Sequence, residues 1–113
     1  MSSSNSSEPN FLTSLLEPLL EDFTYWFGRS QTLLENEKID FLESSKQAEL
    51  LNRVKQAQKE VNTTQLLLKV TEGQVGVETE VLMPWHRLLM ECWQVAVRFR
   101  TERSSQGGLE SER

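Results

Sequence analysis

Between Leu50 and Thr71, apolar and small residues recur at alternating intervals of four and three: Leu50, Val54, Ala57, Val61, Thr64, Leu68 and Thr71. That interval returns a side chain to one side of an α-helix at every turn, so a narrow apolar seam must face a partner helix. No Gly or Pro interrupts the stretch, and no alternation with a strand's period of two survives in it. The pattern predicts a helix over about 44–72. Ser44 and Gln47 at its start have the spacing of a capping box, and Gly73 suits the left-handed turn that often follows a helix.

A second helical segment precedes it, over about 10–43. Phe11, Leu12, Leu15, Leu16, Leu19, Leu20, Phe23, Trp26, Phe27, Leu33 and Leu34 fall on one broad arc at helical period, with Asn10 placed as an N-cap. Pro18 interrupts this run and Gly28 weakens it, so a kink at Pro18, or two helices meeting there, are both compatible. A third segment covers about 77–103, opened by Glu78 and Glu80 and closed by Arg98, Arg100 and Arg103, signs that suit the helix dipole at both ends. Pro84 lies inside it and predicts a kink or a late start.

The third segment has two seams. Val81, Trp85, Leu88, Cys92, Val95 and Phe99 form one, with Leu82, Leu89 and Ala96 beside it; Met83, His86, Met90, Trp93 and Val97 form another, rotated around the helix. Only Arg87, Glu91, Gln94 and Arg98 make a clear polar strip. A helix apolar over most of its circumference is normally covered on several sides. Two readings of the second seam stand: an interface for a second copy or another protein, or intramolecular core covered by the broad arc of the first helix. Met and Trp are both enriched at protein interfaces.

Length and composition then bound the class. At 113 residues the chain suffices for one domain with a modest core. The sequence predicts an all-α, antiparallel three-helix bundle over 10–103. The Ser-rich residues 1–9 and the stretch 104–113, with Gln106-Gly107-Gly108, read as disordered tails. Net charge is −5, divided as seven acids and two bases over 10–43 against five bases and three acids over 44–76. Opposite signs on consecutive helices favour their antiparallel docking. The 12 basic residues are spread along the chain and leave no footprint for nucleic acid. No apolar run approaches the roughly 20 residues a membrane span needs. The single cysteine, Cys92, and an N-terminus without basic or apolar signal features point to a cytoplasmic protein.

Candidate chemistry adds little. His86 is the only histidine and has no second ligand at helical spacing, since positions 82, 83, 89 and 90 are Leu, Met, Leu and Met. Cys92 lies on the first seam as a small core hydrophobe. Acid pairs such as Glu21-Asp22 and Glu78 with Glu80 do not converge on a helix. No phosphate loop, nucleophile elbow or thiol pair is present. The expectation is a protein that is not an enzyme and binds no metal or cofactor. The aromatic residues Phe23, Tyr25, Trp26, Phe27, Trp85, Trp93 and Phe99 leave an alternative, a small-ligand or pigment pocket around Trp26, Trp85 and His86. Residues 10–27 are amphipathic, but their polar face holds Glu17, Glu21 and Asp22 and would be repelled by anionic lipid.

Four stretches carry a resemblance: Glu17-Pro18-Leu19-Leu20-Glu21-Asp22-Phe23; Tyr25-Trp26-Phe27; Val54-Lys55-Gln56-Ala57-Gln58 with Glu60-Val61-Asn62-Thr63; and Met83-Pro84-Trp85-His86 through Glu91-Cys92-Trp93. On these the chain resembles a small family of cyanobacterial proteins catalogued as a domain of unknown function, over residues 8–100. The resemblance implies a cyanobacterial source and a cytoplasmic helical protein, and it transfers no active site. The function expected is that of a non-catalytic interaction or assembly protein, whose contact to itself or to another protein is made by Met83, His86, Met90, Trp93 and Val97.

Overall fold

A computed structural model describes the backbone of residues 2–71 and 79–111 and the side chains of 14–71 and 80–105. The chain forms three α-helices and, among the described residues, no strand: α1 Ser2–Asn36, α2 Ser44–Val70 and α3 Thr79–Ser111. Thr24 faces Gln65 and Glu35 faces Lys55, so α2 runs antiparallel to α1. Glu60 meets Trp85 and Arg53 meets Glu91, so α3 turns back again and lies parallel to α1. The result is an up-down-up three-helix bundle, packed most extensively between α1 and α2.

The seam of α2 is what the other helices pack on. Leu50, Val54, Ala57, Val61 and Leu68 are all buried. They close on Leu20, Phe23, Phe27 and Leu34 of α1 and on Trp85, Leu88 and Cys92 of α3. Each large apolar side chain removed from water contributes about 1.5–3 kcal/mol before chain entropy is set against it. Phe23 stacks on Phe27 at 5.8 Å and takes the edge of Trp85 at 5.7 Å, which joins α1 to α3 through one aromatic chain. The Trp85 indole N–H, buried with its ring, donates to Glu60 Oε1 at 2.9 Å. Thr64 and Thr71, the polar members of the seam, instead donate their hydroxyls back to the carbonyls of Glu60 and Leu67, one turn earlier.

The helix limits differ from those expected at several points. The first helix ends at Asn36, not near Glu43, and residues 37–43 form the connection to α2. Ile39 drives the departure: it lies opposite the apolar arc, so a continuing helix would expose it, whereas the turn buries it to 1% exposure. The capping box does not form. Glu43 is the N-cap of α2 without a side-chain bond, and Gln47 reaches back across the connection instead. Its Nε2 donates to the carbonyls of Leu34 at 2.9 Å and Glu37 at 2.8 Å, and its Oε1 accepts from the N–H of Ile39 at 3.3 Å. Helical backbone also extends through 2–9 and 104–111, the segments where composition predicts disordered tails, and Asn10 is internal to α1. Pro18 and Pro84 both lie within continuous helix and are exposed. The second helix ends at Val70 with Thr71 as its C-cap, two residues short of the expected limit, while Gly73 and Val77 lie outside the described residues.

Arg98 stacks over Phe41, its guanidinium carbon 4.2 Å from the ring centroid, and Arg103 approaches Glu37 at 3.5 Å. Both contacts fasten the α1–α2 connection to α3. The Arg53–Glu91 pair is bidentate at 2.9 and 2.8 Å. The four ion pairs among the described residues all stand in solvent and each contributes at most about 1 kcal/mol. They set register more than stability.

Candidate functional site: an aromatic groove between the first and third helices

Because α2 takes the inner sides of α1 and α3, those two helices meet along their flanks and leave a groove of about 600 Å³. Trp26 of α1 and Trp93 of α3 stand on its two walls. Its floor is apolar, made by Leu33, Leu89, Ala96, Phe99 and the side of Cys92, and Arg29 and Arg100 line it as well. Trp93 is 55% exposed, Trp26 45% and Met90 39%. An indole left this open forgoes about half of the stabilisation its full burial would bring.

Local contacts hold Trp26 in place. Tyr25 meets it edge-on at 4.9 Å, and Arg29 donates from Nη1 to the Tyr25 hydroxyl at 3.0 Å. The Arg29 guanidinium also sits 6.0 Å from the Trp26 ring centroid. Ser30 donates its hydroxyl to the Trp26 carbonyl at 2.9 Å. Burial pushes the Cys92 thiol above its ordinary pKa, opposed by a hydrogen bond with Ser30, so it stays protonated at neutral pH. Arg53, beside Glu91, is raised by that hydrogen bond. Nothing in the groove resembles a general base paired with a nucleophile. Among the described residues no three His, Cys, Asp or Glu side chains converge as a metal site.

The five residues of the second seam on α3 take different places. Met90 and Trp93 line the groove. Met83, 42% exposed, and His86, also exposed, lie one to two turns before Met90, and Val97 is half-buried. Neither Met90 nor Trp93 is enclosed by α1, because only part of the broad arc of α1 turns inward. Leu20, Phe23 and Phe27 are buried, while Leu15, Leu19 and Trp26 stay exposed at 56, 38 and 45%. The aromatic residues likewise divide. Phe23, Phe27 and Trp85 belong to the core; Trp26, Trp93 and Phe99 belong to the groove. Trp26, Trp85 and His86 therefore do not surround one pocket.

Sequence reading missed the contribution of α1 to this surface. The available signal was Leu15, Leu19, Trp26 and Leu33, separated by four, seven and seven residues and so aligned on one flank of α1. Arg29 and Arg100 carry no such periodicity and emerge only when the helices are assembled. No helix among the described residues is long and apolar enough to cross a membrane.

No curated protein and no solved structure matches the chain. Residues 6–101 match the model of a family described as "Protein of unknown function (DUF2605)". That match spans all three helices, and the chain belongs to this family.

Proposed function

We propose that this protein is a non-catalytic interaction or assembly protein of the cyanobacterial cytoplasm, and that it docks another polypeptide chain on the α1–α3 face through Met83, His86, Met90, Trp93 and Val97, joined by Trp26. The observation that supports the reading is Trp93, 55% exposed opposite Trp26 across an apolar groove. Paired, rigid aromatic anchors beside a methionine are the composition of energetic centres in protein interfaces. Their exposure costs the monomer solvation free energy that a partner would recover.

The test is a photo-crosslinking amino acid at position 93, introduced in the native host. Adducts to a polypeptide are expected, and Met90→Glu should abolish them while leaving the helical circular dichroism unchanged. Met90 is exposed, so a charge there does not enter the core. An absence of adducts, or a Met90→Glu variant that crosslinks as efficiently as the parent, overturns the reading.

A second reading, a small-ligand or pigment binder, draws support from the size of the groove, which falls within the range of roughly 300–1,000 Å³ common for ligand sites. It keeps Trp26 among the candidate contacts and replaces Trp85 and His86 with Trp93. Visible absorption of protein purified from its host separates the two: a bound tetrapyrrole colours the protein, and a docking surface does not.

A further inference from the structure

The α1 flank that borders the groove changes character along its length. Exposed Asp22 projects beside exposed Leu15 and Leu19, whereas Glu17 and Glu21 turn to the opposite, polar side of α1. Seven residues past Leu19 comes Trp26, then Arg29 and half-buried Leu33, with Arg100 alongside from α3. One apolar stripe therefore carries an acid, Asp22, before Trp26 and two bases, Arg29 and Arg100, after it. Asp22 and Arg29 both project on its exposed side, and neither makes an ion pair with another described residue. Because α3 lies parallel to α1, it extends the same surface with Met83 beside the Asp22 end and with Met90 and Trp93 beside the Arg29 end.

We propose that the occupant of this face is a second copy of the chain, related by a two-fold axis that passes beside Trp26 and sets the two α1 helices antiparallel. This rests on the docking reading above and names its partner. The rotation places Asp22 of each copy against Arg29 of the other and Leu19 against Leu33, because each pair is nearly equidistant in sequence from Trp26. The two Trp26 rings meet at the axis. A contact of this kind is isologous: the same patch serves both subunits and the assembly closes at two. Parallel stacking would instead oppose Asp22 and Arg29 each to its own copy. An acidic helix from another protein would complement Arg29 and Arg100 but meet Asp22 as a like charge. An anionic membrane surface meets the same repulsion. Only the self-pairing satisfies both halves of the stripe at once.

Sedimentation velocity of the purified full chain across a range of concentrations tests the proposal. A monomer–dimer equilibrium is expected. Asp22→Arg and Arg29→Asp should each weaken the dimer by about tenfold or more, since each creates two like-charge contacts across the axis. The double variant Asp22→Arg/Arg29→Asp should return to near the parent affinity, because the exchange recreates both pairs with their signs reversed. Both positions are exposed, and unchanged helical circular dichroism verifies that the variants remain folded. A chain that stays monomeric at every concentration overturns the proposal, as does a dimer indifferent to the charge reversals or one that the double variant fails to restore. If the purified chain is monomeric while position 93 crosslinks to a different polypeptide in the host, self-pairing fails and docking stands. If position 93 yields no adduct at all, docking fails with it.

Discussion

Gln47 offers the sharpest test of how the first two helices are joined. Its carboxamide donates to the carbonyls of Leu34 and Glu37 at 2.9 and 2.8 Å and accepts from the Ile39 N–H at 3.3 Å. One side chain thus serves three backbone groups where α1 has ended and its last carbonyls lack helical partners. A hydrogen bond of this type contributes roughly 0.5–1.5 kcal/mol net, and the longer bond to Ile39 belongs at the bottom of that range. Gln47→Ala should therefore cost about 2 kcal/mol, which for a domain of this size lowers the melting temperature by about 10 °C. Gln47→Glu is the discriminating partner. It keeps the shape but turns a carboxylate oxygen toward two carbonyl oxygens, so at neutral pH it should be less stable than the alanine variant by about 1 kcal/mol. The repulsion raises the folded-state pKa of the new carboxyl above its unfolded value of about 4.3. Its deficit is then full above that pH range and shrinks as pH falls and the group protonates. Urea unfolding followed by circular dichroism at pH 7 and pH 4 reads both effects. An alanine variant within about 0.5 kcal/mol of the parent, or a glutamate variant more stable than alanine at pH 7, would refute the clamp.

Other outcomes follow from the core. Glu60→Ala removes the acceptor of the buried Trp85 N–H and should cost about 1–2 kcal/mol by thermal unfolding, whereas Glu60→Gln keeps an oxygen in place and recovers most of it. Phe27→Ala should cost about 3–5 kcal/mol of unfolding free energy by urea titration, since the ring is fully enclosed and stacked on Phe23. Burial raises the Cys92 thiol pKa in the folded state, so its contribution is complete below the unfolded value near 8.5 and is lost as pH rises through the folded value. Stability should fall in alkaline solution, and Cys92→Ala should flatten that fall when the two are compared by urea titration from pH 8 to 10.

Much of the fold is legible in the spacing of α2. Leu50, Val54, Ala57, Val61 and Leu68 are buried as their three-and-four rhythm requires. Trp85, Leu88 and Cys92 are buried along the first seam of α3 in the same manner. The end of α1 is not legible from punctuation, because residues 36–43 contain neither Gly nor Pro. Ile39 carries the clearest signal, an apolar residue on the wrong side of an otherwise orderly helix, with Asn36 a weaker one. Gln47 departs from expectation for a related reason: its position suits a capping box, but its longer reach to two carbonyls outcompetes the N-cap. Half of the groove is readable from α3 alone. The other half needs α1 set beside it, since residues such as Arg29 and Ala96 become neighbours only through the bundle register.

The exposed apolar surface has a cause in the unequal widths of the three helices. From Leu50 to Val61 the buried seam of α2 is narrow, one residue at each turn, with the small Ala57 at its middle. So narrow a buried seam covers one flank of α1 and one of α3. Both of those helices carry a wider arc than α2 can shelter, and their surplus falls on the side facing away from it. There it gathers Leu15, Leu19 and Trp26 with Met83, Met90 and Trp93. A fourth helix in this position would complete the layer, and a two-fold copy supplies two. On this reasoning, widening the α2 seam by making its exposed flank apolar would not close the groove, because the open side belongs to α1 and α3. Only a chain laid along those two helices covers it.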